Sequence, residues 1–246
     1  RLLAEAPSVA AFGTVAEVAA AADTSGQTVL RLAARLGYEG FPGLQDEVRA
    51  ELVARLPPAA DRIRQPPGPD VPGRVRHADE HNVARSLDVD EAAVAAAVDV
   101  IADPGRTVAV MAAESWTGVG QLLVGQLSQL RDGVREVSGS PPRVVREVAM
   151  LGAGDVLVAL DVRRYERWVL DAASQATANG VVVVAVTDSP TSPLCAGAAH
   201  RFVVGVTSPG PFESATGVVA VLHLLVTEVA ARLRTAARPR LDAAEA

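Results

Sequence analysis

The chain has a single cysteine, Cys195, and no lysine. One thiol can form neither an internal disulfide nor a cysteine-rich metal site, which excludes a disulfide scaffold and fits a reducing cytoplasm. Cys195 itself reads as a small buried apolar side chain. All 23 basic residues are arginine. Beside the abundance of alanine, this bias reads as genome base composition and carries no functional assignment. A positive field is missing too. The net charge is −6, so any contact with nucleic acid must rest on a local surface. Long apolar runs are absent: stretches such as Val181–Val186 are far too short to span a bilayer. The N-terminus lacks the basic, apolar, small-residue order of a signal peptide. Arg1 stands inside a helical pattern, which suggests either a trimmed chain or a leader ahead of it. The expectation is a cytoplasmic protein with no membrane partner. There is no Gly-x-Ser-x-Gly, no Walker motif and no Gly-x-Gly-x-x-Gly, so no cofactor is expected.

What is present is a globular composition, 49% hydrophobic and 21% charged over 246 residues, enough for two modest domains. Pro57, Pro58, Pro66, Pro67, Pro69 and Pro72 crowd into one window. Such a density sustains neither a helix nor an inner strand and reads as a semi-rigid linker. The boundaries are therefore set at 1–56 for a first domain, 57–76 for the linker and 77–240 for a second domain.

The first domain is helical throughout. Arg1–Glu5 reads as a helix end stopped near Pro7. Thr14 with Glu17 three residues on forms a capping box, followed by Val15, Val18 and Ala19 at helical spacing. Ser25 caps the next helix, about Gly26 to Leu36, which Gly37 ends. A further helix, about Leu44 to Leu56, carries Leu44, Val48, Leu52 and Leu56 on one face. Two short helices joined by a tight turn make a helix-turn-helix unit. In its second helix Val29, Leu32, Ala33 and Leu36 are expected to pack inward, leaving Gln27, Thr28, Arg31 and Arg35 outward. Those residue types suit a major groove: Gln pairs with adenine, Arg with guanine or phosphate, and Thr with either more weakly. No acid occurs from Thr24 to Tyr38, although Arg1 to Leu56 holds five arginines against seven carboxylates. The same pattern also suits a plain helical bundle with a solvated face.

In the second domain, helices over His77–Leu87 and Asp90–Ala102 precede an alternation of strands and helices. The strands are Thr107–Ala112, Val134–Val137, Val156–Leu160, Val181–Val186 and Arg201–Val206. The helices are Trp116–Leu130, Arg143–Leu151, Tyr165–Asn179 and Phe212–Arg234, with a short turn near Pro193–Gly197. Near-continuous Val/Ile/Leu strands alternating with helices mean a five-stranded parallel sheet covered on both faces, an α/β doubly wound, flavodoxin-like layout. Ligands bind such sheets at the strands' carboxyl ends. Four loops qualify: Ala113–Thr117, Asp161–Tyr165, Thr187–Thr191 and Thr207–Ser214.

The residues Ser25, Thr28, Val29 and Arg31, with the exit Leu36-Gly37-Tyr38-x-Gly40-Phe41, resemble the N-terminal domain of the RpiR/MurR family of bacterial regulators. The α/β domain beyond the linker matches that family's sugar isomerase (SIS) domain, so the resemblance covers nearly the whole chain. It implies a transcriptional regulator that binds a double-stranded DNA operator, with Ser25, Gln27, Thr28, Arg31 and Arg35 at the groove. It implies a small-metabolite effector, often a phosphorylated sugar. It also implies a homodimer or homotetramer that offers its helix-turn-helix units in pairs to a palindromic site.

The sensing loops depart from the family. SIS domains cradle phosphate with small residues, because these let amides and hydroxyls close around the anion. Here the first loop reads Glu114-Ser115-Trp116-Thr117, with hydroxyls beside a carboxylate. The second reads Asp161-Val162-Arg163-Arg164 where a serine-rich cradle is usual. Either arginine can hold an anion, or it can pair with Asp161 and Glu166. Thr187 and Ser189 supply a more usual third loop. Glu213 either caps the last helix or faces the ligand. The candidate ligand residues are thus Ser115, Thr117, Asp161, Arg163, Arg164, Thr187, Ser189 and Glu213. Two alternatives are a SIS-type sugar-phosphate isomerase and a ligand-free dimerisation module on a DNA-binding domain. None of the four histidines lies in these loops, which weighs against an enzyme. His77 and His81, four apart, read as a solvated pair without a metal motif.

Overall fold

The computed structural model describes residues 7–46, 48, 59–64 and 68–244. It divides into two compact units, whose chain boundary falls between Pro66 and Pro67. The expected helix end at Arg1–Glu5 and the later part of the helix to Leu56 lie outside the described residues.

In the first unit, α1 (Pro7–Phe12) precedes α2 (Val15–Ala21) and α3 (Gly26–Arg35). Thr14 forms a full capping box with Glu17 at the start of α2. Ser25 accepts from the Thr28 amide at the start of α3. Gly37 sits at φ +89°, the left-handed geometry that ends a helix at little cost for glycine. A small core gathers Val18, Ala19, Val29, Ala33, Phe41, Leu44 and Val48. Leu32 and Leu36, expected to pack inward, are instead 42% and 52% exposed. Val29 and Ala33, one turn apart, form the centre of the buried stripe. Leu32 stands at its margin, and Leu36 lies past the last helical residue.

The second unit opens with α4 (Val71–Leu87), which begins six residues earlier than expected. Asp70 caps it through the Gly73 amide, and Pro72 sits in its first turn. There a missing N–H costs nothing and a fixed φ helps, so this proline starts a helix instead of extending the linker. α5 (Glu91–Ala102) follows, capped by Asp90. Then come β1 (Val108–Ala112), α6 (Thr117–Leu130), β2 (Val134–Val137), α7 (Pro141–Ala149), β3 (Val156–Leu160), α8 (Arg167–Ala178), β4 (Val182–Thr187) and β5 (His200–Val203). α9 (Thr216–Arg232) and α10 (Arg234–Ala244) close the chain. The last helix of the sequence reading thus starts four residues later than expected and is followed by a second one.

The five strands are all parallel in the order β2-β1-β3-β4-β5. Every residue of β3 is buried, as a strand covered on both faces requires. Each fully buried valine or leucine contributes roughly 1.5–3 kcal/mol relative to exposure. At the amino end of the sheet the buried guanidinium of Arg131 donates to the carbonyls of Ile101, Arg106 and Asp132. Beside β5, a side chain on Gly205 or Gly217 would collide with the backbone of Asn82 or with Ser86, so only glycine lets α4 lie this close. Among the described residues no single helix is long and apolar enough to cross a membrane.

Candidate functional site

In the first unit the candidate groove residues lie on one outward surface of α3. Gln27, Thr28, Arg31 and Arg35 are all exposed. Ser25 is partly committed: its Oγ meets Thr28 Oγ1 at 3.0 Å and accepts from the Thr28 amide. That fixes the start of the helix and leaves the long side chains of Gln27, Arg31 and Arg35 to face solvent. Two cations and an amide on a helix whose own span holds no carboxylate can meet phosphates and base edges.

In the second unit, β1, β3 and β4 end side by side, Leu160 being level with Ala112 and with Val186. The loops that leave them are therefore neighbours, and their charged side chains find one another. Asp188, almost fully buried, accepts from the Arg163 amide at 3.0 Å and from Arg163 Nε at 3.0 Å. It also accepts from Tyr165 OH at 2.9 Å. Arg163 was expected to meet an anion or to pair with Asp161 and Glu166. It is instead the ion-pair partner of Asp188, because β3 and β4 are adjacent and their exits coincide. The turn is held firmly enough to place Arg164, a non-glycine, at φ +68°.

Asp161 is buried and accepts from the Glu166 amide at 2.7 Å. Loss of water pushes its carboxyl up to about 7, and the nearby charges of Glu166 and Asp188 add to the rise. Glu166 in turn accepts from the Glu114 amide at 2.9 Å and from Trp168 Nε1. Ser115 is exposed on the turn after β1. Thr117 donates its hydroxyl back to the Glu114 carbonyl at 2.9 Å. With Glu136 and Ser138 it lines a crevice of about 10 Å³, room for no more than a water. Thr187 is fully buried at the end of β4, and Ser189 is half-buried beyond it. Glu213 is half-buried in the loop before α9, whose first-turn amide at Thr216 is met by Ser214 Oγ at 3.2 Å. The structure thus gathers Asp161 and Arg163 with Glu114, Glu166 and Asp188. Thr117 turns back onto the Glu114 carbonyl, and Glu213 lies on another loop.

Asp188 and Tyr165 are the residues that reading the sequence missed. A signal was available: an arginine stands just past one strand and an aspartate just past the next, and in a parallel sheet the exits of neighbouring strands lie side by side.

Between the first turns of α4 and the loop after β5 lies a larger hollow of about 440 Å³. Asp70, Arg74, His77, Thr207 and Ser208 supply its polar lining.

Residues 103–228 match the SIS domain family. No curated protein matches the chain. Among solved structures, the sugar isomerase domain of an RpiR transcription factor from Sphaerobacter thermophilus is 29% identical, with a TM-score of 0.64. That likeness covers 71% of this chain and 98% of that one. Vibrio vulnificus NanR, complexed with ManNAc-6P, is 17% identical with a TM-score of 0.66, over 99% of this chain and 88% of that one. A protein of Escherichia coli CFT073 is 15% identical with a TM-score of 0.58, over 71% of this chain and 95% of that one.

Proposed function

The chain belongs to the SIS-domain family, and from that premise we propose that it is a DNA-binding transcriptional regulator. Its SIS domain senses a small anionic metabolite and changes operator binding in response. The observation that carries this reading is α3: a capped helix, reached from α2 by a short turn, with Gln27, Thr28, Arg31 and Arg35 exposed and no acid among them. The likeness in fold to NanR along nearly the whole chain supports the two-part layout. The likeness to an RpiR transcription factor supports the regulatory role of the SIS domain. On this reading residues 1–56 are the DNA-binding domain, the proline-rich stretch is the linker, and the SIS domain senses and oligomerises. The regulator acts in the cytoplasm as a homodimer or homotetramer on a double-stranded operator.

The sheet edge is an unusual sensor. Four carboxylates, Glu114, Asp161, Glu166 and Asp188, stand there against Arg163 and Arg164. Asp188 takes the Nε of Arg163, so an anion that meets this guanidinium shares it with a buried carboxylate. The experiment that tests the regulatory reading is a mobility-shift assay with DNA flanking the gene, in which Arg31→Ala weakens specific binding. Wild-type protein that binds no such fragment better than random DNA refutes it.

A further inference from the structure

We propose that the hollow between α4 and the loop after β5 is a second, separate binding site for a small molecule bearing a phosphate or carboxylate group. Arg74 and His77 lie three apart on one face of α4 and both line the hollow, as do Thr207 and Ser208 from the facing loop. Among the described residues neither Arg74 nor His77 has a side-chain hydrogen bond or ion pair. An uncommitted guanidinium offers the fork geometry that oxyanions accept. Thr207 Oγ1 is likewise without a partner among the described residues. Ser208 Oγ accepts from the Gly210 amide at 3.1 Å, which leaves its proton to donate.

Asp70 is the one carboxylate in the lining, and it is engaged with the Gly73 amide. It caps the helix start and makes no ion pair with Arg74. Ala78 and Pro209 add an apolar wall, so the ligand carries a carbon body behind its anionic group. The volume, about 440 Å³, lies in the range of small-molecule pockets, roughly 300–1,000 Å³.

The walls are preformed. Asn82, fully buried, donates to the Thr207 carbonyl at 2.7 Å and accepts from its amide at 2.9 Å. One turn later Ser86 Oγ accepts from the Gly205 amide at 2.8 Å. Helix and loop are thereby fixed to each other before any ligand arrives, which lowers the ordering cost of binding. The contrast with the β3–β4 edge is direct. There Arg163 is bonded to the Asp188 carboxylate; here Arg74 has no hydrogen-bond or ion-pair partner among the described residues.

The test uses the full chain and two probes, inorganic phosphate and glucose 6-phosphate, titrated by calorimetry. In parallel, the imidazole proton resonances are followed by NMR and assigned through His77→Gln. The prediction is that a probe binds, that the His77 signals move on titration, and that Arg74→Gln/His77→Gln weakens binding at least about tenfold. Arg163→Gln/Arg164→Gln leaves the probe-induced movement of the His77 signals unchanged. Arg74 and His77 are exposed, so the double variant keeps its fold, which circular dichroism checks. The reverse pattern, loss only in the Arg163/Arg164 variant, overturns this site while upholding sensing at the β3–β4 edge. No binding of either probe at millimolar concentration overturns the site as well. Operator binding is measured separately, so its failure is distinguishable from both outcomes.

Discussion

Helix α3 and the β3–β4 edge of the sheet treat their polar side chains in opposite ways. On α3, Gln27, Arg31 and Arg35 are exposed, and the capping hydroxyls of Ser25 and Thr28 are satisfied locally. At the sheet edge, Asp161, Arg163, Tyr165, Glu166 and Asp188 are joined to one another or to nearby amides. Arginine occurs in both places, so residue type alone does not distinguish a surface awaiting a partner from one already closed. What distinguishes them is whether a carboxylate stands within reach. α3 has none in its own span, whereas a parallel sheet brings the exits of successive strands together and lets opposite charges meet.

Four experiments break or sharpen that contrast. The largest effect is expected at Asp161. Burial holds its carboxyl at about 7, above its usual 3.8, so the folded protein binds a proton that the unfolded chain has released. Stability therefore falls as pH rises from about 4 to about 7, and the full loss is present above that. Asp161→Asn keeps an acceptor for the Glu166 amide and removes the charge. It is expected to raise unfolding stability at pH 8 by up to about 4 kcal/mol, with the gain vanishing towards pH 4. Urea denaturation across that range checks this; a difference independent of pH contradicts it. Next, Asp188→Ala removes the acceptor shared by Arg163 and the Tyr165 hydroxyl and is expected to cost about 1–3 kcal/mol. A loss below about 0.5 kcal/mol, the level of an ordinary surface change, shows that the edge is looser than its hydrogen bonds imply.

On the helix, Arg31→Ala is expected to weaken specific DNA binding by about 1–3 kcal/mol while leaving the melting temperature unchanged. Equal stability and equal affinity count against α3 as the reading helix. The smallest effect is expected from Ser25→Ala, which removes the cap. About 1 kcal/mol is lost locally, read as roughly fivefold faster amide exchange in the first turns of α3. Unaltered exchange shows that neighbouring packing, not the cap, sets the helix start.

The sheet was legible because its strands are runs of Val, Leu and Ala bounded by turn residues, and their alternation with helices has few architectural solutions. Thr14, Ser25 and Gly37 were legible for a similar reason: caps act over three or four residues. Pro72 was not, since the same proline that breaks a helix interior opens a first turn. Leu32 and Leu36 were not, since the width of a buried stripe is decided by what packs on it. The partners of Arg163 depend on which strands lie side by side, a relation 25 residues long in sequence. The hollow at Arg74 and His77 was hidden as well, because Asp70, Gly73 and Arg74 of its lining fall in the stretch assigned to the linker.

Arg131 has a consequence of its own. One planar cation gathers carbonyls from the end of α5, the approach to β1 and the approach to β2, so three connections share a single rivet. An ammonium in its place has no fixed fork with which to reach three separate segments. The amino end of the sheet is therefore the stiff chassis of the domain. Like a fan pinned at its handle, the sheet is tied across those connections at the end away from the candidate loops.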